Sequence, residues 1–147
     1  MKRMVCAVSL ILVLMVGIAT AAWDKDSSHP AVSTVQEFTN AYNNKNIDKL
    51  VSLYAVDAVM VSEAGVAEGR DAIRARLDGG IQRGNTIASL SPERNDSSGA
   101  LSYTEGVAKV INNGQELQRH YLVIVKKVGA SNEIVIHYSL PSPAKTP

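Results

Sequence analysis

The chain has 147 residues, 46% of them hydrophobic, with 15 basic and 14 acidic residues for a formal net charge of +1. A near-balance without a basic cluster excludes recruitment to nucleic acid or to an anionic membrane by bulk charge. The single cysteine, Cys6, excludes an intrachain disulfide and a multi-cysteine metal site.

The N-terminus comes first. Lys2 and Arg3 form a charged start, and Val5 to Ile18 is an uncharged, mostly apolar run. Ala19-Thr20-Ala21 and Thr20-Ala21-Ala22 are small-residue cleavage signals. Together they read as a secretory signal peptide over 1–22, leaving a mature N-terminus at Ala22 or Trp23. The apolar run is too short for a span, which needs roughly 20 residues. No stable membrane span is expected after cleavage, and the expected location is periplasmic or secreted. Loss of the leader removes Lys2, Arg3 and Cys6, so the mature chain is cysteine-free with a formal charge of −1. The roughly 125 residues that remain suit one domain burying about two-thirds of its unfolded surface.

Residues 23–29 are polar and read as a flexible lead-in. Pro30 suits a first helical turn, where its missing N–H costs nothing. Val32, Val35, Phe38 and Tyr42 then recur at helical spacing. Asn43 to Asn46 breaks this helix, and Asn46 can cap the next. Ile47, Leu50, Val51 and Tyr54 form the stripe of a second helix. Ala58 to Val61 reads as a short strand and Ala64 to Gly69 as a loop. A third helix presents Ile73 and Leu77 and is expected to end at Gly79-Gly80. Thr86 to Leu90 reads as a strand and Ser91 to Gly99 as a polar turn region. Two long strands follow, Leu101 to Ile111 and Glu116 to Lys127, joined by the hairpin signal Asn113-Gly114. Glu133 to Ser139 is the last strand. The folded domain spans 30–140, and 141–147 is a proline-rich tail. The order predicts an α+β cone: a curled mixed or antiparallel sheet with three N-terminal helices on its concave face.

A two-residue turn at Asn113-Gly114 pairs Asn112 with Gln115, Gly106 with Tyr121 and Ala108 with Arg119. One face then carries Ser102, Thr104, Gly106, Ala108 and Val110 with Leu117, Arg119, Tyr121, Val123 and Val125. It is smaller and less charged than the other face, so it should meet the helices and line a pocket. Arg119 is its one charge. The guanidinium either binds an anionic ligand in two-point fashion, pairs with Asp57 or Glu63, or reaches solvent near the strand end. Tyr54 and Tyr121 are further candidates for ligand contact.

Asp57 and Glu63 bracket the first strand and become candidate general bases if burial raises their pKa. Each also has a structural reading, as a turn residue or a solvated loop acid. His29 falls in the lead-in and His120 on the outer face. His137 is a catalytic candidate whose direction depends on register. Pairing of Lys127 with Glu133 sets it opposite Val123 on the inner face, whereas pairing of Val128 with Glu133 turns it outward and Tyr138 inward. In neither case does it meet His120, the two lying on opposite faces or roughly 13 Å apart along the strands. No HExxH, cysteine pair or glycine-rich phosphate loop occurs, so neither a metal nor a cofactor is expected.

The run VQEFTNAYNNKNIDKLVSLYAVDAV, the Gly69-x-x-Ala72-Ile73 helix entry, the Arg119-His120-Tyr121 strand start and the His137-Tyr138-Ser139 ending resemble the SnoaL-like, ketosteroid-isomerase-like branch of the nuclear transport factor 2-like superfamily. The resemblance covers roughly Val32 to Ser139. It implies a cystatin-like α+β barrel with a pocket, and homodimers through the outer sheet face, here Val107, Leu122 and Ile124 among Glu105, Lys109 and His120. It also implies members that are isomerases, cyclases or dehydratases. The residues aligned with the isomerase acid, base and second aspartate are Phe38, Ser62 (with Glu63 adjacent) and Arg119. Phe38 cannot donate a hydrogen bond and Arg119 is a permanent cation, so the isomerase oxyanion chemistry is not expected. The expected function is binding of a small, partly apolar and anionic molecule. An isomerase, cyclase or hydratase and a protein-interaction module are the other readings.

Overall fold

A computed structural model describes residues 28–142. The expected signal peptide, most of the expected lead-in and the last five residues of the tail lie outside the described residues. The elements are α1 (Pro30–Asn43), α2 (Ile47–Ser52), β1 (Tyr54–Ser62), β2 (Gly65–Glu68), α3 (Gly69–Gln82), β3 (Thr86–Ser98), β4 (Leu101–Asn112), β5 (Gln115–Val128) and β6 (Ser131–Pro141). The six strands form one curled sheet in the order β2-β1-β6-β5-β4-β3. All neighbours are antiparallel except β1 and β6, which run parallel. The α1 helix lies over β3 to β6, and α3 lies over β1 and β2.

The helices begin where local chemistry favours it. Pro30 occupies the first turn of α1. Asn46 caps α2 by accepting the amide of Lys49 at 3.1 Å. The α2 helix ends at Ser52, one residue before Leu53, so Tyr54 opens β1 instead of continuing the helical stripe. The α3 helix runs through Gly79-Gly80 and stops only at Arg83, followed by Gly84 at φ +76°. Gly80 is not a terminator here: a Cβ at this position would strike the Tyr42 hydroxyl, so the glycine lets α1 and α3 close together.

The central hairpin has the expected register. Asn112 pairs with Gln115, Gly106 with Tyr121 and Ala108 with Arg119. Asn113 and Gly114 both have positive φ, 51° and 77°, the geometry a right-twisted two-residue hairpin needs. Ser102, Thr104, Gly106, Ala108, Tyr121, Val123 and Val125 are buried on the inner face.

Three strands exceed their sequence signals. The first begins at Tyr54, four residues before Ala58. Gly65–Glu68 is a strand rather than a loop, because the Glu63-Ala64 turn folds it back onto β1. The polar stretch from Ser91 does not turn but continues β3 to Ser98. β3 is an edge strand, so its polar residues face solvent and Pro92 forfeits no interior ladder bond. A bulge at Pro92–Arg94 presses the strand onto β4, where a Cβ on Gly106 would overlap the Ser91 carbonyl.

The last strand resolves the direction of His137 by a route neither simple register contains. The turn is tighter than expected, with Val128 opposite Ser131 and Lys126 opposite Glu133. Continued regularly, that pairing would set His137 opposite Leu122. A bulge between Ile124 and Val125 shifts the ladder by one and returns His137 to Val123. His137 is therefore buried and inward, while Tyr138 is 40% exposed.

Candidate functional site

Between α1, α3 and the inner sheet face lies a cavity of about 240 Å³. Its body is apolar, built from residues such as Val35, Phe38, Leu77, Val123 and Ile134. Its polar groups fall into two sets along β6.

The inner set is neutral. The Tyr54 hydroxyl and His137 Nδ1 are 2.6 Å apart, joining the first strand to the last. Phe38 stands edge-on to the imidazole, with ring centres 5.3 Å apart at 90°, and Tyr54 lies nearly parallel to it at 6.1 Å. Burial pushes the His137 pKa down to about 4, helped by the positive charge of Arg119, and the ring is uncharged at neutral pH. Burial also raises the Tyr54 phenol well above its ordinary value.

The outer set is charged. Arg119 forks onto Glu63, with Nη1 donating to Oε1 at 2.9 Å and Nη2 donating to Oε2. Its Nε donates to the Ser139 hydroxyl at 3.0 Å, and Nη2 also donates to the Ser139 carbonyl at 2.7 Å. The Arg119 side chain is only 15% exposed, against 57% for Glu63. The two-point hydrogen bond to Arg119 holds the Glu63 carboxyl below its usual range, against a smaller opposing effect of burial. Arg76 donates to the Ser62 hydroxyl at 2.9 Å and to the carbonyls of Ala64 and Gly65, tying α3 to the β1–β2 turn. Arg83 lines the cavity from the end of α3. Neither Arg76 nor Arg83 has an acidic partner among the described residues. Three arginines and one glutamate are the charged groups of the lining, an excess of two positive charges.

Of the residues singled out from sequence, Glu63, Arg119, Tyr121 and His137 line the cavity. Tyr54 stands behind the wall, fully buried, and reaches the cavity only through His137. Tyr121 offers its ring. Its hydroxyl is sealed from solvent beside Thr104, and burial raises its pKa to about 12. Asp57 lies exposed in the irregular part of β1, outside the lining. His29 is half-buried at the start of α1, 3.0 Å from the Ser97 hydroxyl, and His120 is exposed on the outer face. Among the described residues no group of three His, Cys, Asp or Glu side chains gathers as a metal site, and no helix is long and apolar enough to cross a membrane.

Sequence reasoning passed over Arg76 and Arg83. Their spacing held the signal: seven residues apart, Arg76 within α3 and Arg83 at its C-cap, they fall on one side of the helix, next to the buried Leu77.

The chain resembles solved structures at low sequence identity. One is a Nostoc punctiforme protein of unknown function with a cystatin-like fold, 14% identical, with a TM-score of 0.67 over 76% of this chain and 88% of that one. Another is a nuclear transport factor 2-like protein with a cystatin-like fold from Novosphingobium aromaticivorans, 14% identical, with a TM-score of 0.66 over 78% and 80%. A third is a nuclear transport factor 2-like protein of unknown function from Shewanella oneidensis, 13% identical, with a TM-score of 0.65 over 74% and 94%. None of the curated proteins is similar enough to match. The family model of the SnoaL-like domain matches residues 35–128, from the middle of α1 to the end of β5. With the cone-shaped α+β fold and its cavity, that match places this chain in the SnoaL-like family, within the nuclear transport factor 2-like fold.

Proposed function

We propose that this SnoaL-like domain is an exported binding protein whose cavity takes a small, partly apolar molecule bearing one anionic group. The observation that carries the reading is the contrast between an apolar cavity body and a rim with two uncompensated arginines. A carboxylate at the rim gains charge-assisted hydrogen bonds while its apolar remainder is removed from water. Binding is favoured over acid–base catalysis by the state of the titratable groups. Glu63 is held ionised by Arg119 and is a weak base, and His137 is neutral with a pKa of about 4. Neither is matched to proton transfer near neutrality.

The test is a thermal melt with small aryl and alkyl carboxylates, each beside its primary amide. Acids should raise the melting temperature and amides should not, and Arg83→Met should blunt the response. No rise with any acid overturns the reading. Export rests on the leader-like first 22 residues; cleavage should leave Ala22 or Trp23 as the N-terminus, and Met1 or Lys2 intact on the exported protein contradicts that cleavage. Tyr138 and Leu140, 40% and 42% exposed on the outer face, support a homodimer there. A monomeric mass by light scattering at tens of micromolar counts against it.

A further inference from the structure

The Tyr54–His137 pair has a direction. The Tyr54 hydroxyl is buried, and its one hydrogen-bond partner among the described residues is Nδ1 of His137. If Nδ1 carried the proton and donated, the phenol hydrogen would be left buried without an acceptor, a costly loss for a group removed from water. The hydroxyl therefore donates, Nδ1 accepts, and the imidazole proton sits on Nε2. Nε2 itself makes no hydrogen bond to a described residue. His137 keeps 8% of its surface accessible, and Nε2, unlike the Tyr121 hydroxyl, is not sealed away from it. His137 lines the cavity while Tyr54 lies behind the wall, so the ring edge away from Nδ1 is the one turned to the cavity.

We infer that His137 Nε2–H is a fixed, uncharged donor for an oxygen of the ligand, so that the molecule bound is an oxo acid, with a carbonyl oxygen lying inward of its carboxylate. This rests on the binding reading proposed above. The carbonyl lies toward His137 and the carboxylate toward the arginines of the rim, and the remainder of the molecule is apolar, against Phe38, Val123 and Ile134. Tyr54 acts as a positioning residue: it makes no contact with the cavity but sets which imidazole nitrogen donates.

The experiment compares matched ligand pairs by calorimetry: 4-oxo-4-phenylbutanoate with 4-phenylbutanoate, and 5-oxo-5-phenylpentanoate with 5-phenylpentanoate. The wild type should prefer the keto acid of at least one pair by about five- to tenfold, the worth of one net hydrogen bond. In His137→Phe that preference should fall below about twofold. In Tyr54→Phe, where Nδ1 loses its donor, the preference should also fall. Equal binding of both members of each pair overturns the inference and leaves the binding reading intact, as does a preference that survives either substitution. Failure of all four acids to bind overturns both. Nitrogen NMR of the wild-type imidazole gives a check that needs no ligand or variant: a proton on Nε2 supports the inference, and a proton on Nδ1 overturns it.

Discussion

Two polar pairs tie β1 and the turn after it to the neighbouring strands β6 and β5, and they solve the same problem differently. Tyr54 and His137 meet inside the wall of the cavity, both buried and both uncharged. Two residues farther along β6, Ser139 anchors Arg119, which pairs with Glu63 at a partly open edge, both charged. An ion pair at the inner position would pay a desolvation cost that its mutual attraction does not reliably repay. A neutral pair at the rim would hold no charge to attract an anion. The gradient from neutral to charged along one strand follows the gradient of burial, and it gives the cavity a polarity that an amphipathic ligand can match.

Acid separates the two pairs most strongly. Unfolded His137 takes a proton at its ordinary 6.5, whereas the folded ring refuses it until about 4. Between those values the unfolded state binds more protons, so stability falls as pH falls, by up to about 3 kcal/mol. Glu63 acts in a lower window. Its folded pKa is depressed from 4.5, so its contribution is complete above that value and is lost only as pH drops through the folded value. Urea melts at pH 7 and pH 5 should show a loss in the wild type that is absent from His137→Phe. An equal loss in both would mean that the inner pair is not the acid-sensitive one.

Removing the buried member of the outer pair comes next. Arg119→Met strips the hydrogen bonds to Ser139 as well as those to Glu63, and should cost about 1–3 kcal/mol. An unchanged chemical melt would show that Ser139 and Glu63 are satisfied equally well by water, and that the edge is more open than Arg119's burial indicates.

The exposed member should matter least. Glu63→Gln keeps the shape, and because the carboxylate is more than half exposed, solvent screening limits the cost to about 0.5 kcal/mol. The same substitution releases a guanidinium fork, so benzoate should bind more tightly to the variant than to the wild type. Weaker benzoate binding would show that Glu63 positions Arg119 for an anion rather than competing with it.

How much of this was legible in the sequence depends on the reach of each signal. Asn113-Gly114 is a local signal that sets a long hairpin, so the inward direction of Arg119 and Tyr121 followed from counting outward from the turn. Pairing of Arg119 with Glu63 stood among the expected alternatives, because few acids lie close to the inner face. The partnership of Tyr54 with His137 was not legible. It requires α2 to end at Ser52, β1 to lie parallel against β6, and a bulge to shift β6 by one residue. Each is a tertiary outcome with no mark in the local pattern. The continuation of β3 past Ser91 was missed for a related reason: polar residues and a proline read as a turn unless the strand is known to be an edge.

The parallel pairing of β1 with β6, in which Met60 sits opposite His137, has a consequence in time as well as in space. It joins a strand near the start of the domain to the last one made, a closure of high sequence separation whose entropy must be lost before any contact rewards it. The hairpins of β3 to β5 need no such closure. A nascent chain can therefore assemble most of its sheet while the two polar pairs, and the cavity between them, still await the final strand. The closed cavity is the last feature this fold acquires.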